Sequence, residues 1–296
     1  ALLKMRDELG QRERVLEMKV LERTEEVVRQ KEEVEKQSKK VEELYTNVTD
    51  SIKYAKRLQE SILPPERRIK ELLPDSFVYY RPKDIVSGDF YWFEKVADRV
   101  VFAAVDCTGH GVPGAFMSLI GHNGLNQAVK DKARARPSEM LRDLNRIAYE
   151  ALHKDREEYV VRDGMDMALC SFDPEKRILE YAGANCPLYL VRDNEVLQFT
   201  PDKSAIGSYD LEGTQFTDHR ISLMEGDMVY IFSDGYADQF GGDRGKKFLY
   251  RRFRELLVSI AKEPTHLQRD QLQDAFMGWR GNHEQVDDIL VIGMRA

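Results

Sequence analysis

An apolar residue recurs every seven positions through the first fifth of the chain: Val20, Val27, Val34, Val41, Val48, Ala55 and Ile62. Leu2, Leu9, Leu16, Leu44 and Leu58 fall on the companion position of the same heptad. A repeat of 3.5 residues makes a narrow seam along a helix, and only another helix can bury such a seam. β-Branched residues at the first seam position with Leu at the second favour two parallel strands. The expectation is therefore a parallel, dimeric coiled coil. Residues 1–60 hold 14 Lys or Arg and 14 Asp or Glu, with Gly10 as their one glycine and no proline before Pro64 and Pro65. That is the composition of one long solvated helix stopped by proline. At ~1.5 Å per residue it would extend roughly 90 Å. Arg23, Gln30 and Gln37 occupy the second seam position in its middle. Burying them costs desolvation, so the seam reads as marginally stable. The alternative is a single helix carried by neighbouring Glu–Lys pairs.

The heptads begin abruptly at Ala1, as expected for a piece of a longer protein with a sensor domain upstream. The segment Leu21-Glu22-Arg23-Thr24-Glu25-Glu26 resembles the helix that leaves the membrane in bacterial sensor proteins. All of the formal charge of -7 lies beyond residue 60. That acidic balance argues against nucleic acid as a partner, since the phosphate backbone needs a basic surface. No run of about 18 apolar residues occurs, so direct membrane insertion is not expected. Cys107, Cys170 and Cys186 lie far apart without a Cys-x-x-Cys pair, which fits a reducing, cytoplasmic setting better than a disulfide framework or structural zinc.

From residue 64 to 296 the pattern changes to strand-like runs alternating with helical ones. Strands are expected at residues 77–80, 100–105, 167–172, 178–181, 188–191, 228–232 and 289–294. Helices are expected at 113–129, 137–153, 248–261 and 265–279. Hairpin-like links such as Asp173-Pro174 and Asp193-Asn194 suggest antiparallel sheets with helices outside, an α+β fold. Two domains are thus expected, a helix over 1–63 and a catalytic domain over 64–296.

Four aspartates punctuate this second part. Asp89 stands in Ser87-Gly88-Asp89-Phe90, Asp106 ends the apolar run 100–105, Asp234 follows the run 229–233 and precedes Gly235, and Asp287 precedes the run 289–292. Any one alone reads as a turn or cap residue. Carboxylates at the ends of buried strands, flanked by glycine, suit hard divalent cations, because oxygen ligands favour Mg²⁺ or Mn²⁺ and glycine admits a close approach.

The succession Gly88-Asp89-Phe90-Tyr91, Val105-Asp106-Cys107-Thr108-Gly109-His110-Gly111, Ala182-Gly183-Ala184-Asn185, Phe232-Ser233-Asp234-Gly235 and Val286-Asp287-Asp288-Ile289 resembles the metal-dependent (PPM-type) serine/threonine protein phosphatases, in their bacterial SpoIIE/RsbU branch. Ala55-Lys56-Arg57-Leu58-Gln59 with Ile62-Leu63-Pro64 is similar to the linker helix that precedes the domain in that family. The resemblance implies a four-layer αββα sandwich holding two Mn²⁺ or Mg²⁺ ions. Asp106 would bridge them, the Cys107 carbonyl would complete one shell, Asp89 would lie beside the first ion, and Asp234 and Asp287 would hold the second. Asp288 would stand behind them.

A metal pair lowers the pKa of a bridging water that attacks phosphorus in line. The implied substrate is phosphoserine or phosphothreonine on a STAS-type anti-sigma-factor antagonist, with activity regulated through the coiled coil by the upstream sensor. Other readings are a catalytically degenerate scaffold working as a dimeric binding module, or an enzyme for small phosphoesters. The general-acid histidine of eukaryotic relatives has no clean equivalent. His110 is a candidate, Arg81 and Lys83 are the nearest basic groups for substrate, and Cys107 reads as a packed thiol. His122, Asn123 and Asn126 read as facing a sheet or a partner.

Overall fold

The computed structural model describes residues 2–129, 136–153, 163–207 and 215–296. It divides into two compact units, residues 1–54 and 55–296. The first unit is a single helix, the greater part of α1 (Leu2–Ile62). Its seam is bare in the single chain: Val20, Val27, Val34 and Val41 are each 61–64% exposed. Flanking pairs such as Lys31–Glu35 and Arg23–Glu26 are exposed and add little.

In the second unit Pro64 and Pro65 end α1, and the short helix α2 (Glu66–Leu72) leads into two five-stranded antiparallel sheets. One sheet is ordered β1 (Ser76–Arg81), β12 (Ile289–Arg295), β9 (Met228–Phe232), β6 (Leu188–Arg192) and β7 (Glu195–Phe199). The other is ordered β2 (Phe90–Val96), β3 (Arg99–Cys107), β4 (Met165–Asp173), β5 (Ile178–Ala184) and β8 (His219–Ser222). A hairpin of β10 (Phe240–Gly241) and β11 (Lys246–Lys247) stands apart. The turn between β6 and β7 is Asp193-Asn194, both left-handed (φ 51° and 64°), as a two-residue hairpin with the sheet's twist requires.

The period of two along each strand builds the layers. On β3, Val100, Phe102 and Ala104 join Val229 and Ile231 of β9 and Leu290 and Ile292 of β12 in the core between the sheets. Val101, Ala103 and Val105 turn the other way, onto α3 (Gly111–Val129) and α4 (Pro137–His153). The first sheet likewise turns Tyr230, Phe232 and Val291 onto α6 (Leu249–Ile260) and α7 (Thr265–Arg280). The order is helix, sheet, sheet, helix, an αββα sandwich. Each fully buried Leu, Ile or Phe contributes ~1.5–3 kcal/mol, so the inward parity of every strand is strongly enforced.

All seven expected strands and four expected helices are present. The strands β2, β7 and β8, which were not expected, lie at sheet edges; the two-residue β10 and β11 and the short helices α2 and α5 (Gly235–Asp238) were not expected either. Among the described residues, no helix is long and apolar enough to cross a membrane.

Candidate functional site

Parity also places the first carboxylate. Asp106 continues the inward series Phe102 and Ala104 on β3, so its side chain points between the sheets where the core ends. It accepts a hydrogen bond from the Asp234 backbone N–H. Burial pushes its carboxyl well above the usual range, and Asp234, Asp287 and Asp166 push it further. Directly opposite on β4 stands Asp166, paired in register with Asp106.

Asp89 is buried just before β2 and accepts from Ser233 Oγ at 2.5 Å. Burial, then Asp106, raises its carboxyl, with Asp288 and Asp287 adding to the effect and the Ser233 hydrogen bond opposing it. Asp234 opens α5 and is pushed up to about 6 by burial and then by Asp287, with Lys247 acting in the opposite sense. Asp287 is raised by burial and held down by the Asp288 N–H, 2.8 Å from its Oδ1, while Lys83 and His110 stand near enough to lower it. The structure therefore brings Asp89, Asp106, Asp234 and Asp287 within electrostatic reach of one another.

Two glycines allow the close approach of the chain segments. A Cβ on Gly88 would lie 2.4 Å from the Gly109 carbonyl oxygen and 3.0 Å from that of Cys107. One on Gly235 would lie 1.9 Å from the Asp288 oxygen. Asp288 is buried and structural: Oδ1 accepts from Lys83 N and Oδ2 from Gly88 N, both at 2.7 Å.

Among the described residues, no three acidic, histidine or cysteine side chains form a ready-made ligand cage. The donor set fits Mg²⁺ or Mn²⁺: all oxygen and anionic, with Asp89 buried, Asp106 half-buried, Asp234 and Asp287 open to solvent, and the Cys107 carbonyl on the same loop. The residues that would hold such ions are Asp89, Asp106, Asp234, Asp287 and that carbonyl. The Cys107 thiol itself is buried and pushed well up, as suits packing rather than nucleophilic attack.

The basic candidates separate. Arg81 Nε donates to Gln285 at 2.8 Å and its guanidinium lies 6.0 Å from the centre of the Phe276 ring. Lys83 Nζ lies 3.0 Å from His110 Nε2, and His110 Nδ1 lies 2.6 Å from Asp84. An ammonium has protons to give and no lone pair, so Nε2 accepts and Nδ1–H donates to Asp84. His110 in this arrangement orients Lys83 and has no Nε2 proton to transfer. On α3, Asn126 takes the Trp92 N–H at 2.8 Å, and His122 packs against Phe90.

Sequence reasoning did not single out Asp166, Ser233 and Asn185, whose side chains the structure sets beside the carboxylates or each other. Asn185, left-handed at φ 58°, donates to Asp166 at 2.7 Å. Ser233 and Asn185 lay inside recognised motifs, whereas the place of Asp166 follows only from the β3–β4 register.

Residues 97–296 match the family model described as Stage II sporulation protein E (SpoIIE). The phosphoserine phosphatase RsbU of Bacillus subtilis (strain 168) is 26% identical over 244 residues, 77% of this chain and 69% of RsbU. Among solved structures, the SiaA-PP2C domain of Pseudomonas aeruginosa is 30% identical with a TM-score of 0.77, covering 85% of this chain and 98% of that one. The RsbU and RsbW domains of a Mycobacterium tuberculosis protein are 22% identical with a TM-score of 0.59, over 76% of this chain and 60% of theirs.

Proposed function

The chain belongs to the SpoIIE family, in the SpoIIE/RsbU branch of the PPM phosphatases, and from that premise we propose that it is a divalent-metal-dependent phosphatase acting on phosphoserine or phosphothreonine in a regulatory protein. The observation that supports the reading is the electrostatic coupling of four carboxylates next to strand ends: Asp106 and Asp287 raise Asp89, Asp234 and Asp287 raise Asp106, and Asp287 raises Asp234. Two Mn²⁺ or Mg²⁺ ions, when bound, supply Lewis acidity that neutralises phosphoryl charge and acidifies water. The chain's residues do the rest. Asp106 spans the site from β3, while Ser233 keeps Asp89 oriented by donating to its Oδ2. Lys83, in contact with the Asp84–His110 pair and near enough to Asp287 to lower its carboxyl, is the cation we assign to a phosphoryl oxygen.

A STAS-type anti-sigma-factor antagonist is the proposed substrate. Its support is the likeness to RsbU and to a protein that joins RsbU and RsbW domains, which points to partner-switching signalling. The exposed valine seam supports a homodimer through α1, with an upstream sensor acting through the seam. The test is phosphate release from a serine-phosphorylated STAS protein and from a phosphotyrosine peptide, each with Mn²⁺. Release from the first with little from the second is expected; the reverse preference would overturn the substrate assignment.

A further inference from the structure

The last two turns of α1 belong to the catalytic unit and present Ala55, Gln59 and Ile62 inward at spacings of four and three. The middle residue of that face is polar, and only 5% exposed. Its amide is fully used. Gln59 Nε2 donates to the Ser87 carbonyl at 2.6 Å and to Ser118 Oγ at 2.9 Å, and Oε1 accepts from the Ser87 N–H at 3.1 Å. A primary amide thus pairs with the Ser87 peptide as a neighbouring strand would, from a residue 28 positions away.

The peptide it holds adjoins the metal-ligand candidates. Ser87 Oγ accepts the Asp89 N–H at 3.0 Å, and Gly88 N–H is held by Asp288. Gly88 touches the Cys107–Gly109 turn so closely that no side chain fits. Gly114, at the start of α3, closes on the same place: a Cβ there would lie 2.2 Å from the Gly109 oxygen and 2.8 Å from Gly88 Cα. Ser118, the other partner of Gln59, sits one turn further along α3 and donates to Ala115 O at 2.8 Å. Two further contacts seat the helix end. His122 of α3 bonds the Ile62 carbonyl, and Leu63 enters the core beneath α3.

We propose that Gln59 is a positioning residue for the metal centre: through Ser87 and Ser118 it fixes the Asp89 arm against the Cys107 carbonyl loop, so that the seating of the α1 end sets metal affinity. The proposal rests on the metal-dependent reading above and names the residue through which that site is tuned. Glutamate in its place lacks the two N–H donors and sets a carboxylate oxygen against the Ser87 carbonyl. Alanine leaves the Ser87 N–H and C=O without their partner.

The experiment measures Mn²⁺ binding to the full chain by the electron paramagnetic resonance signal of free Mn²⁺, alongside p-nitrophenyl phosphate hydrolysis across the same titration. Supporting side chains behind metal ligands typically carry 10–100-fold in affinity, so Gln59→Ala and Gln59→Glu should weaken Mn²⁺ binding about tenfold or more. kcat at saturating Mn²⁺ should change far less, and Glu60→Ala, on the exposed side of the same turn, should match the wild type. A cooperatively folded Gln59→Ala with unchanged Mn²⁺ affinity would overturn the proposal, as would lost kcat at unchanged affinity. Should Gln59→Ala fail to fold, Ser118→Ala, which removes one of the three bonds, must shift affinity in the same direction or the proposal fails. Wild-type chain that binds Mn²⁺ but hydrolyses no phosphoester contradicts the functional reading and leaves the Gln59 comparison valid. Wild-type chain that binds no Mn²⁺ overturns both.

Discussion

Asp234 carries a carboxyl pushed up to about 6, chiefly by burial and then by Asp287, and the sign of that shift has a measurable consequence. Because folding raises this pKa, the native state holds the proton more tightly than the unfolded chain does. Its contribution to stability is present below about pH 4 and is lost as pH climbs through about 6. Metal-free protein should therefore melt at lower temperature as pH rises across that window. Asp234→Asn should remove this share of the slope and, in EDTA at neutral pH, stabilise the protein slightly, the gain being cut by solvent screening because the side chain is exposed. Mn²⁺ should raise the melting temperature of the wild type more than that of the variant. Thermal unfolding of both with EDTA and with Mn²⁺ checks this; a destabilised Asp234→Asn in EDTA would contradict it. At the rim of the site, Lys83→Ala should raise KM for a phosphoester severalfold with a smaller change in kcat. His110→Ala should do the same more weakly, since His110 acts by orienting Lys83. A kcat loss in His110→Ala with unchanged KM would instead make His110 a proton donor.

At the scale of elements, the central strands were legible because they are buried on both faces and end in a carboxylate: β3 before Asp106, β9 before Asp234, β12 after Asp287. The edge strands β2, β7 and β8 were not. β7 is largely exposed and β8 has four residues, so neither shows the apolar run that marks a strand. β2 carries aromatic residues on both faces, Phe90 and Trp92 toward α3, and Phe93 toward the sheet core, which hides its alternation. The site was legible at the strand ends and dark where it depends on pairing. Asp166 reaches Asp106 only through the β3–β4 register, and Gln59 reaches Ser87 only once the α1 end is seated.

The loop-to-loop contacts yield a prediction at this scale. Gly235→Ala forces a methyl onto the Asp288 carbonyl and should cost about 1–3 kcal/mol while displacing Asp287. Chemical denaturation together with Mn²⁺ affinity reads both effects; a variant unchanged in both would show that the two loops are free to part.

For the whole molecule, the chain joins a heptad-bearing helix to a PPM phosphatase fold of the SpoIIE family. The exposed valine seam is interrupted by Arg23, Gln30 and Gln37, which a tight dimer would have to desolvate. On the proposed pairing of α1 with a second copy, replacing all three with Leu should strengthen self-association, raise the melting temperature by several degrees and hold the protein in one activity state. Sedimentation equilibrium and phosphoester hydrolysis by the same chain check this, and unchanged association would show that the seam has no partner helix.

The account rests on the four carboxylates as a divalent-cation site that hydrolyses phosphate esters. The most direct test is the rate of p-nitrophenyl phosphate hydrolysis by the full chain with Mn²⁺, with Mg²⁺ and with EDTA, beside Asp106→Asn in the same buffers. Hydrolysis that requires metal and falls at least about a hundredfold in the variant is the predicted result. Hydrolysis that persists in EDTA, or in Asp106→Asn at the wild-type rate, would contradict the central claim.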